Sequence, residues 1–237
     1  MRITALLVTA AVGLAACGGT GSDRKLTIAA ASSLTGALTA CGGSAQLEFG
    51  GSDDLAAQIR QGVKIDVFAA ANMKLPQALA TEGKAQAPVP FATNRLVIAV
   101  PVDSTIASID DLASTKIAVG TESVPVGSYT REVLGRLPVP QRRAIERSIR
   151  SEEPDVKSIV GKLITGAADA GFVYATDVVA ATGKLKAIAL PAELQPTVIY
   201  GVSVVRRSAD ADAFVDGLLH GNCAGELRKA GFGPAPR

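Results

Sequence analysis

Five places along the chain put small polar or flexible residues where an apolar run gives way to an amphipathic one. Four are Ala31-Ser32-Ser33-Leu34, Gly50-Gly51-Ser52-Asp53, Val124-Pro125-Val126-Gly127 and Pro154-Asp155-Val156; the fifth is Tyr174, after Gly171-Phe172-Val173. If each apolar run is a strand feeding a helix, these junctions lie at the carboxyl ends of strands, where open α/β sheets hold ligands. The first N–H groups of a helix have no partner inside it and favour an anion. Hydroxyls and free amides converging there would hold a negatively charged guest by neutral donors. Each residue also has a plainer reading. Ser33 and Ser52 read equally as ordinary N-caps, Val126 and Val156 as first-turn residues, and Tyr174 as a core aromatic with a satisfied hydroxyl. From the residues alone, an anion site and a set of structural caps both stand.

Catalytic chemistry finds less support. His220 is the only histidine, near the last helical segment, and reads as a surface residue. There is no Gly-x-Ser-x-Gly elbow, no His-Glu-x-x-His, and no pair of thiols at zinc spacing. Gly161-Lys162 is followed by Leu163 and lacks the upstream glycine of a phosphate-cradling loop. The acidic pairs Asp53-Asp54 and Glu152-Glu153 each adjoin an expected helix start, where the helix dipole accounts for them. The expectation is a binding protein: no enzyme, no cofactor and no direct metal ligand. With 24 basic and 22 acidic residues the net charge is only +2, which leaves no electrostatic footprint for nucleic acid.

The elements that would carry these junctions follow from pattern. Leu26 to Ala31 reads as a buried strand, Gln46 to Phe49 as a short strand and Asp66 to Ala70 as another, with helices from about Ser33, Ser52 and Lys74. That βαβαβ rhythm implies a parallel sheet covered by helices. Arg95 to Pro101 is a long apolar strand. A second α/β unit follows, with strands at Lys116 to Val119 and Ala170 to Val173 and a closing run at Ile188 to Leu190. Its helices are expected from about Gly127, around Pro140 to Glu146, from Asp155 and from Tyr174. Thr197 to Arg206 is another long strand, and helices near Ala211 to Leu219 and Ala224 to Ala230 end the chain. The strands at 95–101 and 197–206 flank the middle unit, as two crossovers between two lobes would require. Rhythm alone equally allows one large doubly wound sheet. The chain is 48% hydrophobic but lacks Trp, so Val, Ala, Ile and Leu must do the packing.

The first residues read as a leader. Arg2 precedes an apolar run from Ile3 to Ala16, too short for a comfortable permanent span. It ends in Leu14-Ala15-Ala16-Cys17-Gly18, which resembles a bacterial lipobox and so implies a signal peptide over 1–16, cleavage before Cys17 and a lipid on its thiol. A simple secretory signal with an incidental cysteine is the alternative. Gly18 to Asp23 is Gly-rich and polar, a flexible tether that with Cys17 covers 17–25. Cys41 and Cys223 remain, in a compartment that permits disulfides. We expect them to pair, joining an early helix to the C-terminal segment; two separate buried thiols are the other reading.

At the junction residues the chain resembles a known family, the periplasmic molybdate-binding proteins of ABC importers. The matching pieces keep their order: Ala-Ala-Ser-Ser-Leu-Thr at 30–35, Ser52 with Leu55-Ala56-Ala57-Gln58-Ile59, and Ile65-Asp66-Val67-Phe68 with Ala69-Ala70-Ala71-Asn72. Asn94-Arg95-Leu96-Val97 and Val124-Pro125-Val126-Gly127-Ser128-Tyr129 follow. Asp155-Val156, Gly171-Phe172-Val173-Tyr174-Ala175-Thr176-Asp177 and Ala230-Gly231-Phe232 complete the series. The resemblance implies a type II periplasmic-binding-protein fold, each lobe a mostly parallel sheet with flanking helices. Lobe one is then 26–92 with 196–237, lobe two is 93–195, and two hinge crossovers join them. It implies oxyanion ligands at Ser33 and Ser52, by hydroxyl and backbone N–H, at the backbone N–H of Val126 and Val156, and at the Tyr174 phenol. Ser33 is the match because it directly precedes the Leu of the motif, whereas Ser32 stands where the family usually has Ala. Asp66 and Asp177 match acidic family positions and read as structural.

The implied function is an exported lipoprotein receptor, held to the outer face of the cytoplasmic membrane by Cys17 alone. It would be a monomer that hands molybdate or tungstate to a membrane permease and its ATPase. A rigid cage of donors selects by size, because an oxyanion with shorter bonds cannot reach both lobes at once; a receptor for sulfate or another tetrahedral oxyanion is the alternative. Two features depart from the family. The segment between Ser33 and Ser52 is short, cut by Cys41-Gly42-Gly43, and Asn72 replaces a commoner acid.

Overall fold

The computed structural model describes residues 24–236. The expected leader, Cys17 and the tether up to residue 23 lie outside the described residues. Two sheets form. In the first, β1 (Thr27–Ala31) is buried at every position, as a strand covered on both faces must be. It pairs in parallel with β2 (Gln46–Gly50) on one side and β3 (Val67–Ala70) on the other. The connections are α1 (Thr35–Cys41), entered through a 3-10 turn at Ser32–Leu34, and α2 (Ser52–Arg60). Helix α3 (Lys74–Thr81) follows β3.

The chain then crosses between sheets over a single residue. Strand β4 (Val89–Asn94) belongs to the first sheet and β5 (Leu96–Pro101) to the second, with Arg95 between them. The second sheet adds β6 (Ile117–Gly120), β7 (Ile149–Glu153), β8 (Ala170–Tyr174) and β9 (Leu185–Ala189), in the order β7-β6-β8-β5-β9. Its helices are α4 (Pro125–Gly135), α5 (Val139–Glu146), α6 (Val156–Ile164) and α7 (Ala175–Ala180). The return is β10 (Val198–Val204), which re-enters the first sheet between β3 and β4; α8 (Ala209–Leu219), α9 (Asn222–Lys229) and the short β11 (Gly233–Pro234) finish the chain.

This is the two-lobe α/β architecture of type II periplasmic-binding proteins. Parallel pairing holds within each βαβ unit, but each sheet as a whole is mixed. Strand β10 runs antiparallel to β3 and β4, and β5 runs antiparallel to β8 and β9. The cause is the crossovers, whose strands meet the βαβ strands from the opposite direction. Besides the two-residue β11, two strands escaped the apolar pattern. β4 carries Pro90 beside a register shift against β10, and β7 is an edge strand whose Arg150 and Glu152 face solvent. Glu152 and Glu153 thus end a strand and do not occupy a helical first turn. Glu153 lies 3.6 Å from Lys162.

The core is aliphatic, with Phe68, Phe172, Tyr174 and Tyr200 its largest fully buried side chains. Asp66 is fully buried immediately before β3. Its carboxylate accepts from Arg24 at 2.7 Å and from the Thr27 N–H at 2.8 Å, and the Arg206 guanidinium lies 3.0 Å away. One buried charge is thereby satisfied by the starts of β1 and the segment after β10. Cys41, the last residue of α1, is joined by a disulfide to Cys223 in α9, with Cα atoms 5.2 Å apart.

Candidate functional site

The site is assembled from strand–helix junctions of both sheets. After β1 the chain tightens into the Ser32–Leu34 turn, and the buried Ser33 Oγ comes within 2.9 Å of the Tyr200 hydroxyl on β10. After β2, Gly50-Gly51 leads into α2 with Ser52 as its first residue. The Ser52 Oγ accepts the Ala71 N–H at 3.2 Å, so its own proton is free to point elsewhere. Helix α4 starts with Pro125, whose missing N–H costs a first-turn position nothing. Val126 follows, with an N–H that the helix cannot use. Gly120 and Gly127 let the end of β6 lie against this first turn: a Cβ on Gly120 would stand 2.7 Å from side-chain carbons of Val124 and Val126. Asp155 caps α6, its carboxylate accepting the Ser158 N–H at 2.9 Å, and Val156 is the first helical residue. Tyr174 is the last residue of β8.

Ser33, Ser52, Val126, Val156 and Tyr174 all line one cavity, together with Ser32, Gly51, Ala71, Pro125 and Asp155 among others. Ser33 is the most exposed of the five, at 8%. The cavity is small, and its walls come from both halves. Among the described residues that line it there is no Lys or Arg. Positive potential comes instead from the amino ends of α2, α4 and α6.

The Tyr174 hydroxyl is buried without a hydrogen-bond partner, a loss of about 1–3 kcal/mol unless something accepts from it. Burial, then the neighbouring Tyr200, Tyr129 and Asp177, push its ionisation well above the ordinary tyrosine range. It is therefore a neutral donor at any physiological pH. Asp177 in the first turn of α7 accepts the Tyr174 N–H at 3.1 Å. Burial raises its carboxyl to about 7, with Asp155 adding to the rise and Lys157 and that N–H opposing it.

The two halves touch around the cavity. Tyr129 on α4 donates its hydroxyl to the Ala71 carbonyl after β3, at 3.4 Å. Its ionisation is pushed up to about 12, chiefly by burial. A Cβ on Gly51 would run into the Pro154 carbonyl and stand 3.4 Å from a Val124 methyl, both from loops that follow strands of the second sheet. The cleft is closed.

Ser32, Gly51, Pro125 and Asp155 belong to the four junctions the sequence offered, without a ligand role of their own, whereas Ala71 lies outside them and was missed. Tyr200, which sits behind Ser33, was missed as well. Nothing in the apolar run Val198 to Val204 marks that tyrosine, because its partner is 167 positions away.

Comparison with known proteins bears on what fills such a cleft. A family model described as bacterial extracellular solute-binding protein matches residues 26–233. The chain is 32% identical over 231 residues to the molybdate-binding protein of Mycobacterium tuberculosis, covering 87% of this chain and 85% of that one. The substrate-binding domain of a putative molybdenum ABC transporter from Clostridium difficile is 28% identical, with a TM-score of 0.64 over 90% of this chain and 99% of the other. The periplasmic molybdate-binding protein of Azotobacter vinelandii superposes with a TM-score of 0.77 over 90% of this chain and all of that one; at 20% identity it speaks for the fold alone.

Proposed function

The chain belongs to the bacterial extracellular solute-binding proteins, and among them to the molybdate-binding proteins, and from that premise we propose that it captures molybdate and tungstate. Family membership makes it an exported, non-catalytic solute-binding component of an ABC importer for a small oxyanion. Our reading assigns the oxyanion to Ser33, Ser52, Val126, Val156 and Tyr174. Lobe one, 26–92 with 196–237, supplies the two serines; lobe two, 93–195, supplies the other three. The guest then passes to a permease and its ATPase, and a lipid on Cys17 keeps the monomeric receptor at the outer face of the cytoplasmic membrane.

The observation that carries this reading is the buried, unpartnered Tyr174 hydroxyl in a small cavity ringed by helix amino ends. A dianion supplies the acceptor that hydroxyl lacks. Neutral donors suffice because the closed cleft keeps out competing water and each hydrogen bond to a charged oxygen is strengthened. Molybdenum enters as its oxyanion, so no side chain ligates the metal.

Thermal melting with a panel of oxyanions tests the assignment, since a tight guest raises the melting temperature. Molybdate and tungstate should each shift it while sulfate does not. A shift with sulfate alone would give the site to the smaller anion, and no shift with any of them would remove the function. Replacing Ser33 and Ser52 by Ala should weaken binding by about 1.5–3 kcal/mol per lost donor. Undiminished affinity in that double variant refutes the site.

A further inference from the structure

We infer that Tyr200 and Asn94 are positioning residues, forming a hydrogen-bond relay that holds the Ser33 proton toward the cleft. The inference rests on the reading of Ser33 as an oxyanion donor.

The argument is one of proton counting. Asn94 ends β4, at the crossover, and its Oδ1 accepts the Arg95 N–H at 2.9 Å. That bond fixes the amide, so Nδ2 must face the other way. There it donates to the Thr176 hydroxyl at 2.9 Å and, at the long end of the range, to the Tyr200 hydroxyl oxygen at 3.4 Å. An amide nitrogen only donates, so Tyr200 accepts from it. The single Tyr200 proton is then left for the one remaining partner, the Ser33 Oγ at 2.9 Å. Ser33 accepts, and its own proton has no destination but the cavity. Along the line Asn94–Tyr200–Ser33, each group donates toward the cavity.

Two properties make the relay work. Tyr200 is fully buried, and burial, followed by the nearby Asp177, pushes its ionisation well above the ordinary range. It remains a donor throughout the physiological range. A hydroxyl that accepts a hydrogen bond also becomes a better donor, because successive bonds polarise one another. Asn94 belongs to a strand of one sheet while Thr176 lies in α7 beside the other. The amide that sets the direction is thereby tied to both halves.

A double-mutant cycle separates positioning from mere packing. Tyr200→Phe keeps the ring, and with it the edge-on contacts to Phe91, Tyr174 and Phe232. Calorimetric titration with sodium molybdate, and with sodium sulfate in parallel, reads the affinity of each variant. Tyr200→Phe should lower affinity by about threefold to tenfold in the parent protein. With Ser33→Ala already present it should change affinity less than about twofold, the ordinary margin of additivity. The same loss in both backgrounds would make Tyr200 structural and overturn the relay. If Ser33→Ala weakens binding while Tyr200→Phe does not, the relay fails and the site stands. If Ser33→Ala itself changes nothing, or neither anion binds the parent, the site fails and the relay with it. Asn94→Ala provides a second reading should Tyr200→Phe not fold: its loss must likewise vanish once Ser33 is alanine.

Discussion

Asp177 shows how one side chain can set a pH response. Its Oδ2 holds the Tyr174 backbone and its Oδ1 has no partner, so ionising it inside the fold is costly. Its folded value, about 7, lies above the unfolded one, about 4. The folded protein therefore binds the extra proton between those two pH values. Stability from this group is full below about pH 4, falls as pH rises, and levels off above about pH 7. Asp177→Asn keeps an acceptor for the Tyr174 N–H and removes the ionisation. Its melting temperature should exceed the parent's by several degrees at pH 8 and by much less at pH 4.5. A constant gap across that range would show that the carboxyl does not titrate in the fold. The serines illustrate a different lesson at this scale. Ser33 and Ser52 were nameable from position and resemblance, but the partners that orient their hydroxyls, Tyr200 and the Ala71 N–H, lie across the sheet. Sequence spacing carries no trace of such contacts.

Helix α1 has seven residues and ends at Cys41, without acidic residues in its first turn or basic ones in its last. So short a helix is marginal by itself, and the disulfide to α9 fixes its far end. The bridge closes a loop of 182 residues. Replacing both cysteines by Ser should cost about 2–5 kcal/mol of stability, equivalent to roughly 5–15 °C in melting temperature for a domain of this size. Molybdate affinity should change little, because Ser33 is positioned by the preceding turn and by Tyr200. A melting temperature that does not move in the double variant would make the bridge dispensable. Elements differ in how openly they declare themselves. Strands β1, β3, β6 and β8 are buried throughout and read as apolar runs, whereas β7 sits at an edge and β4 includes a proline, so neither has the pattern. The antiparallel placement of β5 and β10 could not be read at all: it depends on where a strand re-enters a sheet.

Both halves must meet for the cleft to work as a binding site. Gly51 and Tyr129 mark the contact, one by yielding space to the Pro154 carbonyl and the other by donating to Ala71. Gly51→Val should hold the halves apart, since overfilling a close contact typically costs about 1–3 kcal/mol. Molybdate affinity should fall by roughly tenfold or more on that scale. Small-angle scattering should show contraction of the parent on adding molybdate and little in the variant. Parent-like affinity in Gly51→Val would mean that closure does not bring these loops together.

A cavity lined without Lys or Arg has one further consequence. Attraction between full charges fades with ionic strength, over a screening length of about 8 Å in physiological saline. Short hydrogen bonds between the two halves lie beneath that reach. A receptor built this way should retain its guest in brine nearly as well as in fresh water.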